Sequence, residues 1–194
     1  MEKKTVNKLT MHWQDMNVKH KVSKFVLSLI MKQEGYSVRP LVWFCIGSDR
    51  YTGDSLGPLI GSYLTEYTDS IVFGTLDNPV HAGNFVETLA TIKRLYHDPI
   101  IIAIDACLGK KNEVGNIEVW EGGLKAGIAV GNCLPRVGHI SIIGVVNAGG
   151  QVGFLDLQST PLSTVIKLSK VIGAAVVEVA NTMALHYAPQ VKLG

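Results

Sequence analysis

From residue 17 onward the apolar positions of this chain fall into blocks whose period alternates between helix and strand. Val18, Val22, Phe25, Val26, Leu29 and Ile30 recur at helical spacing between residues 17 and 33, which predicts an amphipathic helix. Residues 1 to about 16 show no such period and read as a solvated basic arm. Gly35 and Pro40 close the helical segment, and Leu41 to Ile46 is a short apolar run of the kind that forms a strand buried on both faces. The loop Gly47 to Gly53 then opens a helix near Asp54 or Ser55. Pro58 is tolerated in its first turn, and Leu59, Ile60, Tyr63 and Leu64 mark its apolar positions. Ile71 to Leu76 reads as a second strand, Asn84 to Tyr96 as a second helix, and Pro99 to Ile104 as a third strand ending at Asp105.

This βαβαβ order predicts right-handed crossovers, parallel strands and helices on both faces of one sheet. Past Asp105 the pattern changes. Asn116 to Glu121 alternates like a half-buried strand, Gly122 to Pro135 is a glycine-rich loop, and Ile140 to Val146 is another apolar strand, so an antiparallel excursion is expected to edge the sheet. Thr160 and Pro161 then cap a long, mostly apolar helix that runs to about His186. The expected fold class is three-layer α/β/α with a mixed, mostly parallel sheet. Residues 1–39 form an arm and helix ahead of a single α/β domain over 40–194.

Composition narrows the function classes. At 194 residues with 47% hydrophobic positions the chain can bury a full core, and a formal charge of +2 is too small to suggest a nucleic-acid partner. Cys45, Cys107 and Cys133 lie far apart in or beside apolar stretches without a CxxC pair, which suits small buried thiols in a reducing, cytoplasmic compartment. No signal peptide is expected, because the apolar run Phe25 to Met31 follows Lys19, His20, Lys21 and Lys24 and has no small-residue cleavage site after it. Val171 to Leu185 is 15 residues long and carries Glu178 and Asn181, so it reads as a buried helix and not as a membrane span of roughly 20 residues.

In an open parallel sheet ligands bind beyond the carboxyl ends of the strands, and the residues there are polar: Ser48, Asp49, Arg50 and Asp54 after the first strand, Asp77, Asn78, His81 and Asn84 after the second, Asp105 after the third. Neighbouring strands would bring Asp54 and Asp105 together. Two carboxylates in one site do not both ionise freely, so one can keep a proton and act as acid while the other activates water. The same residues also suit a helix cap at Asp54 and a chain turn at Asp105, and spacing does not separate the readings. A metal set is a third reading, with His81 or His139 as nitrogen donor beside the two acids. GSDRYTG is no GxGxxG, no GxxxxGK[ST] occurs, and Ser48 and Ser55 lack a GxSxG context, which argues against nucleotide binding and serine acyl transfer.

The blocks CIGSDRYTGDSLGPLIG, GTLDNPVHAGN, IDACLG and LKAGIAVGNCLPRVGHISIIGVVN, spread in order over about 40 to 150, resemble the YyaC-type sporulation proteins. That family is similar to the spore germination protease and, more distantly, to the hydrogenase maturation endopeptidases, which implies a phosphorylase/hydrolase-like α/β/α fold. The resemblance matches Asp54 in GDSLGP and Asp105 in IDA to the family's two acids. In the germination protease such acids are implicated in cutting small acid-soluble spore proteins, and in the hydrogenase endopeptidases they help to hold nickel. The resulting expectation is a peptidase of a sporulating cell or spore, the alternative being a noncatalytic or metal-binding protein of the same fold that acts as a binding or regulatory factor in sporulation. Asp54 and Asp105 are catalytic, Asp49, His81 and Asn84 position a protein or peptide substrate, and a homo-oligomer is compatible. No cofactor is expected. If nickel or zinc is used, Asp54, Asp105 and His139 are the candidate ligands. His139 stands where close relatives are expected to carry an acid, and a tolerated surface change is the favoured reading of it.

Overall fold

The structure, a computed structural model, describes residues 7–126, 134–150 and 152–187. Cys133 and half of the glycine-rich loop fall outside them. Its elements in chain order are β1 (Lys8–His12), α1 (Val18–Ile30), β2 (Leu41–Cys45), a 3₁₀ turn (Thr52–Ser55), α2 (Leu56–Tyr67), β3 (Ile71–Phe73), α3 (Phe85–Leu95) and β4 (Ile100–Gly109). They continue with β5 (Asn116–Glu121), β6 (Leu124–Lys125), β7 (Arg136–Val137), β8 (Ile140–Ala148), α4 (Gly153–Gln158) and α5 (Leu162–Tyr187).

Six strands form one sheet in the order β1-β5-β8-β4-β2-β3. The pairs β2/β3, β2/β4 and β4/β8 are parallel, whereas β5 runs antiparallel to both β8 and β1, so the sheet is mixed and mostly parallel. Period-2 alternation along the central strands feeds two cores. Trp43, Cys45, Ile102, Ile104, Ile140 and Ile142 face the helices α1, α2 and α5, while Val42, Phe44, Ile101 and Ala103 face α3 through Phe85 and Ile92. Strands buried on both faces explain why these runs read as continuous apolar blocks.

Three expectations are corrected. The segment read as an aperiodic basic arm contains β1, which pairs Lys8 to His12 with Trp120 to Asn116 and makes the outer edge beyond β5. A five-residue strand with only Leu9 and Met11 turned inward is too short to stand out from sequence alone. Because Met11 on β1 and Val22, Val26 and Leu29 on α1 pack in the same cluster as the central strands, residues 8–30 share the core of the chain that follows. The third predicted strand also runs past Asp105 to Gly109. β2 ends at its pairing with Ile104, but β8 continues to pair with β4 from Asp105 to Gly109. Finally, α4 was not expected at all.

Candidate active site

The carboxyl end of the parallel strands is shaped by where β2 stops. The Ile46 N–H donates to the Ile104 carbonyl at 2.7 Å, and the Gly47 N–H to that of Val80 at 2.8 Å, so the chain leaves the sheet just as β4 reaches Asp105. Gly47 has φ +142°, and a Cβ there would overlap the Asp54 carbonyl oxygen. The Ser48 N–H donates to that same carbonyl at 3.0 Å, which closes the loop and hands Asp54 to the 3₁₀ turn ahead of α2. Glycine is required here because the turn brings two backbones into contact. Asp105 is positioned differently, by its place inside β4 with both flanks fixed by strand pairing up to Ile104 and Ile143.

Asp54 and Asp105 line one cleft of about 550 Å³. Asp105 shares its sheet face with its register partner Ile143, and Trp120, Leu124, Lys125 and Leu157 complete much of the wall. The wall is largely apolar, as in a pocket that holds side chains and not solvated ions.

The cleft's electrostatics are set chiefly by burial. Asp54 is pushed up from 3.8 to about 6, chiefly by desolvation, against smaller opposing effects from the Ser48 backbone N–H and the nearby His81. Asp105, 7% exposed, is raised well above the ordinary carboxylate range, first by burial and then by the charge of Asp54. The Ala106 N–H, donating to Asp105 Oδ1 at 2.8 Å, opposes that rise only in part. Burial thus raises the proton affinity of both, and Asp105, the more deeply buried and lying against the charge of Asp54, is the one favoured to hold a proton. An acid and a base beside one another is an arrangement that can polarise a carbonyl and draw a proton from water. Cys107, two residues along the same strand face, is pushed up to about 12 by burial and by Glu118 and Asp105, so its thiol stays neutral.

The other residues singled out in the sequence are placed as follows. His81 is close enough for its charge to act on Asp54, although it lines a neighbouring hollow beneath β3 and α3 and its Nδ1 accepts the Gly83 N–H at 3.1 Å. Asn84 is consumed by that loop: its side-chain oxygen accepts the His81 N–H at 2.9 Å, and its amide donates to the Pro79 carbonyl at 3.0 Å. Asp49 sits exposed on the turn after β2 and does not line the cleft. His139 is at the other end of the sheet. Its backbone N–H donates to the Ile101 carbonyl and its Nδ1 accepts the Ile101 N–H at 3.0 Å. Four residues of β4 separate Ile101 from Asp105, about 13 Å of strand. His139 is thus neither a ligand beside the aspartates nor a surface change, but a half-buried latch at the start of β8.

Asp54, Asp105 and His139 do not converge, and among the described residues no group of three or more His, Cys, Asp or Glu is arranged to hold a metal ion.

The cleft residues that sequence reasoning missed are Trp120, Leu124, Lys125, Ile143 and Leu157. The alternation of Asn116 to Glu121 places Trp120 and Glu118 on one face, but which face meets Asp105 depends on the register of β5 and β8.

Comparison with known proteins places this geometry. The model of a family described as a protein of unknown function (DUF1256) matches residues 10–175. The chain belongs to this family. The chain is also similar to an uncharacterized protein, YyaC, of Bacillus subtilis (strain 168), 43% identical over 136 residues that make up 69% of this chain and 66%, just under two thirds, of that relative's own length. Among solved structures, the [NiFe] hydrogenase maturation protease HycI from Thermococcus kodakarensis KOD1 superposes with a TM-score of 0.53 at 16% identity, over 81% of this chain and 99% of that one. At that identity the likeness is one of fold: this DUF1256 chain has a protease-like α/β fold with a mixed, mostly parallel sheet. Among the described residues no helix is long and apolar enough to cross a membrane.

Proposed function

We propose that the protein is a peptidase of the sporulating cell or spore, in which Asp54 and Asp105 together activate water against a peptide bond. The observation that supports this most strongly is that two carboxylates, the half-buried Asp54 of the turn after β2 and the buried Asp105 of the neighbouring β4, share one apolar-walled cleft, with the proton affinity of both raised. Asp54, as carboxylate, takes a proton from water while the hydroxide so formed attacks the carbonyl carbon. Asp105, as acid, donates to the carbonyl oxygen to give a gem-diol; the proton on Asp54 then passes to the departing amine as the C–N bond breaks, and one hydroxyl of the gem-diol returns its proton to Asp105 as the carboxylic acid forms. Trp120, Leu124 and Ile143 offer the apolar wall for a substrate side chain, with His81 near enough to bias the charge of Asp54. Asp49 and Asn84 are left outside this role, because one lies exposed away from the cleft and the other is spent on its own loop.

Small acid-soluble spore proteins are the substrates to try first, on the strength of the family resemblance. Purified wild-type chain is incubated with them beside Asp54→Asn and Asp105→Asn, with and without chelator, nickel and zinc. Cutting by wild type alone, unaffected by chelator, supports the aspartate pair. Cutting that needs added metal would overturn the metal-free mechanism. Folded protein that binds but never cuts would reduce the cleft to a binding site.

A further inference from the structure

Exposed large apolar side chains are spread over the surface of this molecule, but three of them gather at the short helix α4 beside the aspartate cleft. Val152, Phe154 and Leu155 are 42%, 44% and 49% exposed, and none of them joins either core. The opposite side of the same helix is fixed. Gly153 and Leu157, one turn apart, line the cleft, and Leu157 is buried. The Asp156 carboxylate accepts the Gly150 N–H at 2.7 Å, and its backbone carbonyl accepts the Asn147 amide at 2.9 Å and the Thr160 hydroxyl at 2.8 Å. The helix is thus held from within while its outer side offers a phenylalanine and a leucine to solvent. Folding does not call for them there, since polar side chains serve as well on a solvated helix face.

Area, charge and position select what covers this face. Three side chains exposed to this degree present roughly 200 Å² together, whereas each partner in a stable protein dimer contributes about 800 Å². That area suits a single segment of polypeptide and not a second copy of this chain. Between residues 149 and 164 Asp156 is the only charged residue, and its carboxylate is turned to Gly150, so the segment that fits is apolar and uncharged. Gly149, Gly150 and Gly153 form the cleft wall on this side, so a chain leaving the cleft here crosses three glycines and arrives at α4. We propose that the outer face of α4 is a docking surface for an apolar, uncharged segment of the substrate polypeptide, outside the residues that fill the cleft. This docking rests on the peptidase reading and adds to it where such a substrate is held. A helix is about 10 Å across and an extended chain advances about 3.3 Å per residue, so the docked segment lies at least about three residues beyond those in the cleft.

The test compares the full wild-type chain with a serine pair, Phe154→Ser with Leu155→Ser, and an apolar pair, Phe154→Leu with Leu155→Met. Each is assayed on small acid-soluble spore proteins and on a short synthetic peptide that spans only the cut site mapped in them. The serine pair is expected to raise KM for the whole protein at least about tenfold, the scale of an apolar side chain left unburied, with kcat unchanged. Both variants should cut the short peptide as wild type does, which also shows that they fold, and the apolar pair should keep the wild-type KM on the whole protein. Equal KM of wild type and serine pair on the whole protein overturns the proposal and leaves the peptidase reading standing. An equal rise with the short peptide overturns it as well, by assigning the loss to the cleft. A wild type that sediments as a dimer beside a serine pair that sediments as a monomer overturns it in favour of a second copy. Folded wild type that cuts no spore protein removes the peptidase reading, and this docking surface with it.

Discussion

The two ends of the parallel sheet carry ionisable groups drawn out of solvent to different depths and with opposite fates. At the carboxyl end Asp54 and Asp105 face each other's charge across an apolar-walled cleft, and burial drives both toward the protonated form. At the amino end His139 lies among Arg39, Asp98 and the backbone of Ile101. Burial and the Arg39 charge lower its proton affinity, and its neutral ring serves as an acceptor for strand β4. One end accumulates electrostatic cost that the Ser48 and Ala106 N–H groups and His81 offset only in part, and the other uses its polar groups to complete the backbone hydrogen bonding of a strand start. Polarity at a strand end is therefore a poor marker of chemistry. Uncompensated burial is the better one, since a fold retains a destabilising group only when something other than stability calls for it.

The largest effect that would break this comparison is on catalysis. Asp54→Asn and Asp105→Asn are each expected to slow cutting by at least about a hundredfold, the ordinary worth of a general acid or base. His139→Ala should leave the rate unchanged, and a comparable loss in that variant would erase the functional distinction between the two ends.

Next in size is stability. Holding Asp54 at about 6 against 3.8 disfavours its charged form by about 3 kcal/mol, so Asp54→Asn should stabilise the chain at pH 8 by up to about that much. Asp105→Asn should act in the same direction. Between about pH 4 and 6 the folded wild type binds more protons than the unfolded chain at Asp54, so this group makes stability rise on acidification from pH 7. Thermal melts across that range should show the rise shrinking in Asp54→Asn.

The amino end should behave oppositely. His139 binds a proton less readily when folded, so its contribution is present above the ordinary histidine value of 6.5 and is lost as pH falls through the lowered one. His139→Ala leaves the Ile101 N–H without its side-chain acceptor and should cost about 1–2 kcal/mol in urea unfolding at pH 8. The smallest expected effect lies away from both ends. The Lys8–Glu118 pair, at 2.7 Å but with 41% of the lysine side chain exposed, should contribute less than about 1 kcal/mol, so Lys8→Ala should shift the urea midpoint only slightly.

Much of this architecture was legible in the residues. The runs Leu41 to Ile46 and Ile140 to Val146, the helical spacing from Val18 to Ile30 and the Thr160-Pro161 start of α5 all reappear as elements within a few positions. The aspartate pair was legible too, since a helix-opening acid and an acid at the end of an apolar run both belong at the carboxyl edge of a parallel sheet. What was not legible depended on partners distant in sequence. β1 is a strand because β5 offers it an edge, and Asp105 sits within β4 because β8 continues to pair beyond the point where β2 departs.

By itself, then, the amino-acid sequence determined the period, length and order of the elements, because those follow from local side-chain spacing, capping and backbone preference. The tertiary structure alone decided that Trp120 and Ile143 wall the aspartate cleft and that His139 lies a strand's length from it. Those outcomes depend on sheet order and register, which are set by pairing between segments that no local pattern relates.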